Sequence, residues 1–517
     1  MLEAESHKLS VYFSGAGGLS LTTLLAAIFG ALGIHLLATA TYRIFFGPLR
    51  SLPGPWYTKV TDLWLTLTEL AFCQVPYVDG LFAQYGPIIR LGPNTVAFMD
   101  ANAAKLVYNK FPKSDWYKMA NVNGVDVSFS MLESAEHSVR RRGFATHYTV
   151  ENLLRFQSDI HDFALTLVAH LNGIAGRKAV DCLAMFQHMA VDVLGVSLYD
   201  IRIDATKQWC GGAAHELPTA VHDWPTWLVA QVTLPRWIWF LLHVTPKTRL
   251  QQFLKSNTIL RGFAEGSISR TRTAFDEGRR DPQDQEHLVS RLIQYRMPDG
   301  KLLDHESLVC EMALNSSAAV DTVSTSAEFG IWALAKHPDV LRSLQTELDD
   351  VMPDGQLVPD ATVLAALPYL NAVLKEVLRL YGAAPSLLPR VVPSTGQPLE
   401  IHGHPLPPGT IVATQAWSTH RQDRIYENPT TFKPERWLNE TEAMKINYFP
   451  FGQGTRICAG QALALMILRT EFAVLMRNFN PVLPPHTTER SMEQRFSFVM
   501  SSREGKCDIL FIPRDDA

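Results

Sequence analysis

Cysteine is scarce in this chain, with six in 517 residues. They stand at 73, 182, 210, 310, 458 and 507, with no Cys-x-x-Cys pair and no clustered spacing. That excludes a disulfide scaffold and a zinc module, and suits a reducing compartment. Excess charge is missing as well. The net charge is only −4, so nothing marks the chain as a partner of nucleic acid. Internal repeats and low-complexity tracts are absent. So are a Gly-x-Ser-x-Gly elbow, a Walker loop and a nicotinamide-binding fingerprint, which removes the support for a hydrolase or a transferase. What the chain holds in quantity is apolar residues, 47%, ample for a large core.

One absence is local. No Asp, Glu, Lys or Arg occurs from Leu9 to Tyr42, and Leu19 to Leu37 is dense in Leu, Ala, Ile and Phe. About 20 such residues cross a bilayer as a helix. Residues 1–45 therefore read as a single membrane anchor, spanning at about 17–42. A cleaved signal peptide would have a shorter apolar core and a small-residue cleavage site. Arg43 and Arg50 follow the run while Glu3 and Glu5 precede it. The positive-inside rule then puts the rest of the chain in the cytosol, with the endoplasmic reticulum as the expected membrane. Leu52-Pro-Gly-Pro55 is a stiff break within a hinge at 46–56, and 57–517 forms the globular domain.

Beyond the hinge, residues 86–100 read as two short strands around a Gly92-Pro93 turn. Helical periodicity then covers 134–172, 180–198, 246–275, 284–296, 305–335, 338–351 and 362–381, and β-like text returns at 385–415. The expected fold class is mainly α with small β-sheets. Between Asp223 and Pro246 lies a tryptophan-rich stretch broken by Pro225, Pro235 and Arg236. It reads as core or as an interfacial membrane contact rather than a second span.

The stretch with the most chemistry is Tyr448-Phe-Pro-Phe-Gly-Gln-Gly-Thr-Arg-Ile-Cys-Ala-Gly460, followed at once by a helical apolar run. Glycines at 452, 454 and 460 allow backbone angles that a Cβ disfavours, so a flat ligand can lie against the loop. A helix start just after Cys458 points N–H groups at its sulfur, which favours the thiolate, a soft ligand for a metal or haem iron. Elsewhere, the 305–335 helix starts after Asp304, a good N-cap. It carries a polar cluster at its middle, Asn315, Ser316, Ser317, Asp321 and Thr322. Glu376 and Arg379 share a helix face. His137 and Arg141 lie one turn apart, beside Arg140 and Arg142.

Taken together these residues resemble the cytochrome P-450 family. Phe451, Gly452, Gly454, Arg456, Cys458 and Gly460 are similar to its haem loop, and Ala318-Ala-Val-Asp-Thr322 to its oxygen-activation segment. Glu376, Arg379 and Phe432-Lys-Pro-Glu-Arg436-Trp resemble its two structural motifs, and the wording of 415–437 is similar to fungal members. The resemblance covers nearly everything from residue 50 onward. It implies that Cys458 is the axial ligand of haem b and that Asp321 and Thr322 relay protons during oxygen activation. It implies a buried Glu376–Arg379–Arg436 network behind the haem loop. It also makes His137, Arg141, Arg390 and Arg456 propionate partners, with Phe451, Gly452 and Gly460 lining the proximal side.

Electrons would come from NADPH through a separate flavoprotein reductase, with cytochrome b5 as a further donor. Arg140, Arg142, Lys445 and Arg469 would form a basic docking patch. The substrate would be a hydrophobic small molecule, a fungal secondary metabolite such as a terpenoid. Alternatives are xenobiotic or fatty-acid oxidation, a haem-thiolate isomerase or dehydratase, and a non-catalytic haem-binding protein. Three positions depart from the family pattern: Ala319 stands where Gly is usual, His137 where Trp is common, and Ile467 where an acid is common.

Overall fold

The computed structural model describes residues 21–514 apart from 282, 356, 396–398 and 498. The helices that position the site are, in chain order, α1 (Leu21–Thr41), α2 (Ser134–Arg142), α3 (Cys182–Leu194), α4 (Glu216–Thr233) and α5 (Arg236–Val244). They continue with α6 (Thr248–Asp276), α7 (His305–Lys336), α8 (Pro368–Tyr381) and α9 (Gln461–Asn478). The molecule is built around α7. Its 32 residues make a rod of about 48 Å at ~1.5 Å per residue. Asp304 starts it, its carboxylate accepting the Ser307 N–H at 2.9 Å. Pro338 ends it by forcing His337 out of helical angles, to φ −123 and ψ 75. Helices α3, α4, α6, α8 and α9 all pack on α7. Val320, Phe329, Ile331 and Leu334 of α7 are fully buried in the common core, each worth roughly 1.5–3 kcal/mol.

A four-stranded sheet lies beside the helices. Its strands are β1 (Ile88–Arg90), β2 (Thr95–Phe98), β3 (Arg390–Val391) and β4 (Ile411–Ala413), in the order β1-β2-β4-β3. A separate pair, β5 (Gln494–Ser497) and β6 (Val499–Ser502), is antiparallel, with Gln494 opposite Ser502. The small sheets and dominant helices agree with the expected class.

Three expected helices are broken or shortened. The helix expected at 134–172 stops at Gly143 and resumes only over Gln157–Ile174. The Thr149 hydroxyl caps a new turn by accepting the Asn152 N–H, a local competition that periodicity does not register. The helix expected at 362–381 divides at Leu367, where Pro368 begins α8. The one expected at 284–296 shrinks to Leu288–Gln294. The 338–351 helix has the expected bounds.

At the amino end, an apolar helical stretch runs over Leu21–Phe46, with mean hydropathy 2.0 and no part buried. Residues 17–20 of the expected span lie outside the described residues. The hinge is held firmly. Buried Arg90 donates to the carbonyls of Arg43, Leu49, Gly92 and Pro93, and Leu49 and Leu52 sit in the core beside β1 and β2. The tryptophan-rich stretch serves two purposes. Trp224 on α4 is core, at 1% exposure, whereas Trp237, Phe240, Leu241 and Val244 on α5 are exposed. Cys182 and Cys507, remote in sequence, meet in the core, where the Cys182 N–H donates to the Cys507 carbonyl at 2.8 Å.

Candidate active site

The loop before α9 is folded around the Cys458 sulfur. Its turn is set by Gly452 and Gly454, at φ 72 and 74, which L side chains rarely adopt. Gly454 is also the point of closest approach, because a Cβ there would lie 2.3 Å from the Tyr108 carbonyl oxygen. Gly460 differs from the expectation. As the residue before α9 it has φ −80, which any residue adopts, and a Cβ would meet nothing nearer than 3.9 Å. The N–H groups of Gly460 and Gln461 point at the sulfur and, with Arg141, pull its pKa down. Burial is the larger effect, and the thiol as it stands is pushed above its ordinary value. Cys458 is enclosed by protein yet keeps exposed surface, as a side chain lining a void does.

The opposite wall of that void is α7. Its middle is almost wholly buried, except that Leu314, Asn315, Ala318, Ala319 and Thr322 carry free surface. Their spacing puts them on one helix face. Ala318 is the most open, and Ala319 is only partly covered. The Thr322 hydroxyl donates to the Ala318 carbonyl at 2.7 Å. Tyr148 bridges the two walls. Its ring lies near Gly460, and its hydroxyl donates to the Asn315 side-chain oxygen at 2.9 Å.

Cations converge at one edge of this space. Arg390 lies in β3, and its backbone bridges that of Lys113, so two residues far apart in sequence deliver charge to one point. Arg456 arrives from the thiol loop, donating to the carbonyls of Met131 and Leu132 at 3.0 Å each. Arg141 donates to the Ile457 carbonyl at 2.7 Å, and His137 stands one turn before it on α2. Tyr117 accepts from Arg390 at 2.9 Å, and the Lys113 ammonium lies over its ring.

Among the described residues, none of Lys113, Arg141, Arg390 and Arg456 has a carboxylate in ion-pair contact. Electrostatics record the deficit. Burial and then Arg390 push Arg456 down to about 10. Burial and then Arg456 push His137 down to about 3. Burial, Arg390 and Arg456 push Lys113 well below its ordinary value. The Arg390 Nε is buried without a partner. A pocket edge of this kind calls for anions, and two carboxylates supply them. The residues present are of the kinds a haem requires, cations for two carboxylates and a soft sulfur at Cys458.

Behind the loop, Glu376 on α8 is fully buried and fully satisfied. It receives Arg379 through two N–H groups at 2.9 and 2.8 Å, Arg436 at 3.1 Å and the Trp437 indole at 2.8 Å. Arg379 continues to the His420 carbonyl at 2.7 Å. The His420 Nε2 accepts the Phe449 N–H of the thiol loop at 3.0 Å. An acceptor nitrogen must be unprotonated, and burial holds His420 down at about 3. The chain Glu376–Arg379–His420–Phe449 thus runs from the core to the loop.

Asp321 and Thr322 are adjacent, but no hydrogen bond joins them and they face different ways. Thr322 faces the void. Asp321 is buried, accepting from Gln187 of α3 at 3.0 Å and lying 3.3 Å from the His222 Nδ1 of α4. The basic patch expected from Arg140, Arg142, Lys445 and Arg469 does not form as a unit. Arg140 turns inward to buried Glu311 at 3.3 Å, because an acid buried on α7 needs a cation. Lys445 pairs with Glu442, and Arg469 is half-buried on Asn371. Ile467 is buried core.

Sequence reasoning missed Lys113, Tyr117, Tyr148, Gln187, His222 and His420. Each stands in ordinary local text and gains meaning only from partners far along the chain.

A thiol loop facing a long helix, with cations gathered at one edge, defines the class, and comparison with known proteins agrees. The chain belongs to the cytochrome P450 family, whose pattern matches residues 65–509. Members are oxidoreductases that bind haem iron and incorporate molecular oxygen. A cytochrome P450 monooxygenase named cypX from Dothistroma septosporum is 27% identical, covering 95% of this chain and 96% of the relative. The monooxygenase aflV of Aspergillus parasiticus is 28% identical over 93% and 94%. A pisatin demethylase of Fusarium vanettenii is 26% identical over 85% and 86%.

Proposed function

We propose that the chain is a membrane-anchored haem-thiolate monooxygenase acting on a hydrophobic small molecule. The observation that carries this reading is the cation cluster beside the sulfur of Cys458, in which, among the described residues, no carboxylate makes an ion pair with Lys113, Arg141, Arg390 or Arg456. Haem, when bound, supplies the redox chemistry by which one atom of dioxygen enters the substrate and the other leaves as water. Cys458 would hold its iron through Sγ, and Phe451, Gly452 and Gly460 would lie against its face. Arg141, Arg390 and Arg456, with His137, Lys113 and Tyr117, would hold its propionates. Glu376, Arg379 and Arg436 keep the loop in shape and take no part in the reaction.

Thr322 presents a hydroxyl to the void and Asp321 supplies the proton-carrying carboxyl beside it. Burial of the surrounding α7 residues excludes bulk water from the reacting side. Electrons come from NADPH through a separate flavoprotein reductase, with cytochrome b5 as a further donor. The 21–46 helix anchors the chain in the endoplasmic reticulum, with residues 57–517 as a cytosolic catalytic domain. The exposed apolar face of α5 supports delivery of a lipophilic substrate from the bilayer. The monooxygenase relatives support a fungal secondary metabolite, for which a terpenoid is the working choice. The relative named as a demethylase extends the test panel to methyl ethers.

The test is turnover of such a panel with NADPH, reductase and 18O-labelled dioxygen. One labelled oxygen in the product, or labelled formaldehyde from a methyl ether, is expected. Product without label and without NADPH consumption would favour an isomerase or dehydratase.

A further inference from the structure

Against Asp321 lies a cavity of about 300 Å3, open to solvent. Asp321, His222 and Ser502 form its inner wall, and Arg495, Arg503 and Glu504 stand toward its mouth. It has room for several waters and polar groups to hold them. Among the described residues, His222 is the cavity side chain in ion-pair contact with Asp321, at 3.3 Å through Nδ1. The ring is 36% exposed, and among the described residues its Nε2 has no protein partner. The three buried acids of α7 are therefore treated in three ways. Glu311 is bound by Arg140 and Ser128. Glu328 is buried, accepts from Ser502 at 3.0 Å, and is pushed up to about 8 by burial. Asp321 alone sits against an imidazole that lines an open cavity.

We propose that His222 is a positioning residue that passes protons from this cavity to Asp321, and through Asp321 to the Thr322 side of α7. This rests on the monooxygenase reading. In the step, the imidazolium Nδ1–H bond breaks and an O–H bond forms on the Asp321 carboxylate, leaving neutral imidazole. Rotation of the ring presents the vacated nitrogen to the cavity, where a bulk proton arriving as hydronium through the cavity water restores the imidazolium, and the carboxylate is restored when Asp321 releases its proton toward the Thr322 side. Asp321 holds the incoming proton while Gln187 fixes the carboxylate's orientation.

The electrostatic surroundings keep the donor ring loaded with its proton. Asp321 raises the His222 pKa most, burial opposes it, and the result is about 9. Asp223 on the same helix adds to the rise and Arg249 of α6 opposes it. Glu328 of α7 acts from further away. Arg495, Arg503 and Glu504 face the ring across the cavity, and Gln187 of α3 lies 3.4 Å away. The imidazolium is therefore present at neutral pH and disappears as pH rises through about 9.

The experiment uses the holoenzyme with its reductase and NADPH, follows oxygen consumption from pH 6.5 to 10, and needs no known substrate. His222→Gln keeps an N–H donor for Asp321 but does not titrate. Relative to wild type, it is expected to consume oxygen about tenfold more slowly at pH 7.5. The wild-type decline near pH 9 should vanish in the variant, and the solvent deuterium effect should grow. In parallel, NMR titration of the His222 ring should fall from about 9 toward roughly 6.5 when Asp321→Asn removes its partner. An unchanged carbon monoxide difference spectrum in His222→Gln shows that the site is intact. Equal oxygen consumption and an equal pH profile in wild type and variant would overturn the relay and leave the monooxygenase reading standing. Wild-type protein that consumes no oxygen with reductase would overturn both.

Discussion

Lys113 sits at 6% exposure between two arginines, with no acid in ion-pair contact. Its ammonium donates to the Phe129 carbonyl and lies over the Tyr117 and Phe129 rings, but burial and the two arginines still disfavour its charge, a penalty that a dianionic cofactor would remove. Lys113→Met should therefore raise the thermal midpoint of haem-free protein and, in loaded protein, speed transfer of haem to an acceptor protein. A lysine with a purely structural role would lose stability in both forms. The glycines of the loop give a second contrast. Gly454→Ala places a methyl 2.3 Å from a backbone oxygen at φ 74 and should abolish haem retention. Gly460→Ala, at φ −80 and with nothing nearer than 3.9 Å to the added methyl, should change stability by no more than ~0.5 kcal/mol. Cys458, Arg456 and Gly452 were legible because a continuous loop must place them together. Lys113, Tyr148 and His222 were not, because their partners come from strands and helices that only tertiary folding brings near.

At the scale of elements, one carboxylate holds α8 to the 433–437 segment and, through Arg379 and His420, to the thiol loop. Glu376→Ala leaves Arg379 and Arg436 without their shared anion and frees the His420 link to Phe449. The expected cost is about 3–5 kcal/mol, read as loss of bound haem and a lower denaturation midpoint. On α7, Glu328 gives a pH prediction whose sign is fixed. Its folded-state pKa, about 8, lies above the ordinary 4.5. Its contribution is thus fully present below about 4.5 and is lost as pH rises through about 8. Glu328→Gln should match wild type near pH 4.5 and exceed it in thermal midpoint at pH 8. The long helix α7 was readable from an N-cap, a periodicity and a following proline. The break after Gly143 was not, since a threonine hydroxyl and local turns outcompeted the helical pattern. Arg140 was misread as surface for the same reason that Glu311 was unassigned: neither charge discloses that the other is buried opposite it.

For the whole molecule, the apolar stretch Leu21–Phe46 and the exposed face of α5 are surfaces that water solvates poorly. If both meet one bilayer, brominated lipids should quench the fluorescence of Trp237 in the full-length protein. Trp237→Phe should lose that part of the quenching, while the loss for Trp224→Phe, a core residue, should be independent of lipid. The composition announced a large core and the missing charges announced an apolar amino end. The arrangement that joins membrane face, cavity and thiol loop depends on packing about α7 and is not written in any one segment.

The most direct measurement is the carbon monoxide difference spectrum of the reduced holoprotein, because it reports the atom that binds the iron opposite the gas. With Cys458 as that ligand, wild type gives the thiolate-type band and Cys458→Ser loses it, through a changed band or loss of haem. The same band in wild type and Cys458→Ser would contradict the account.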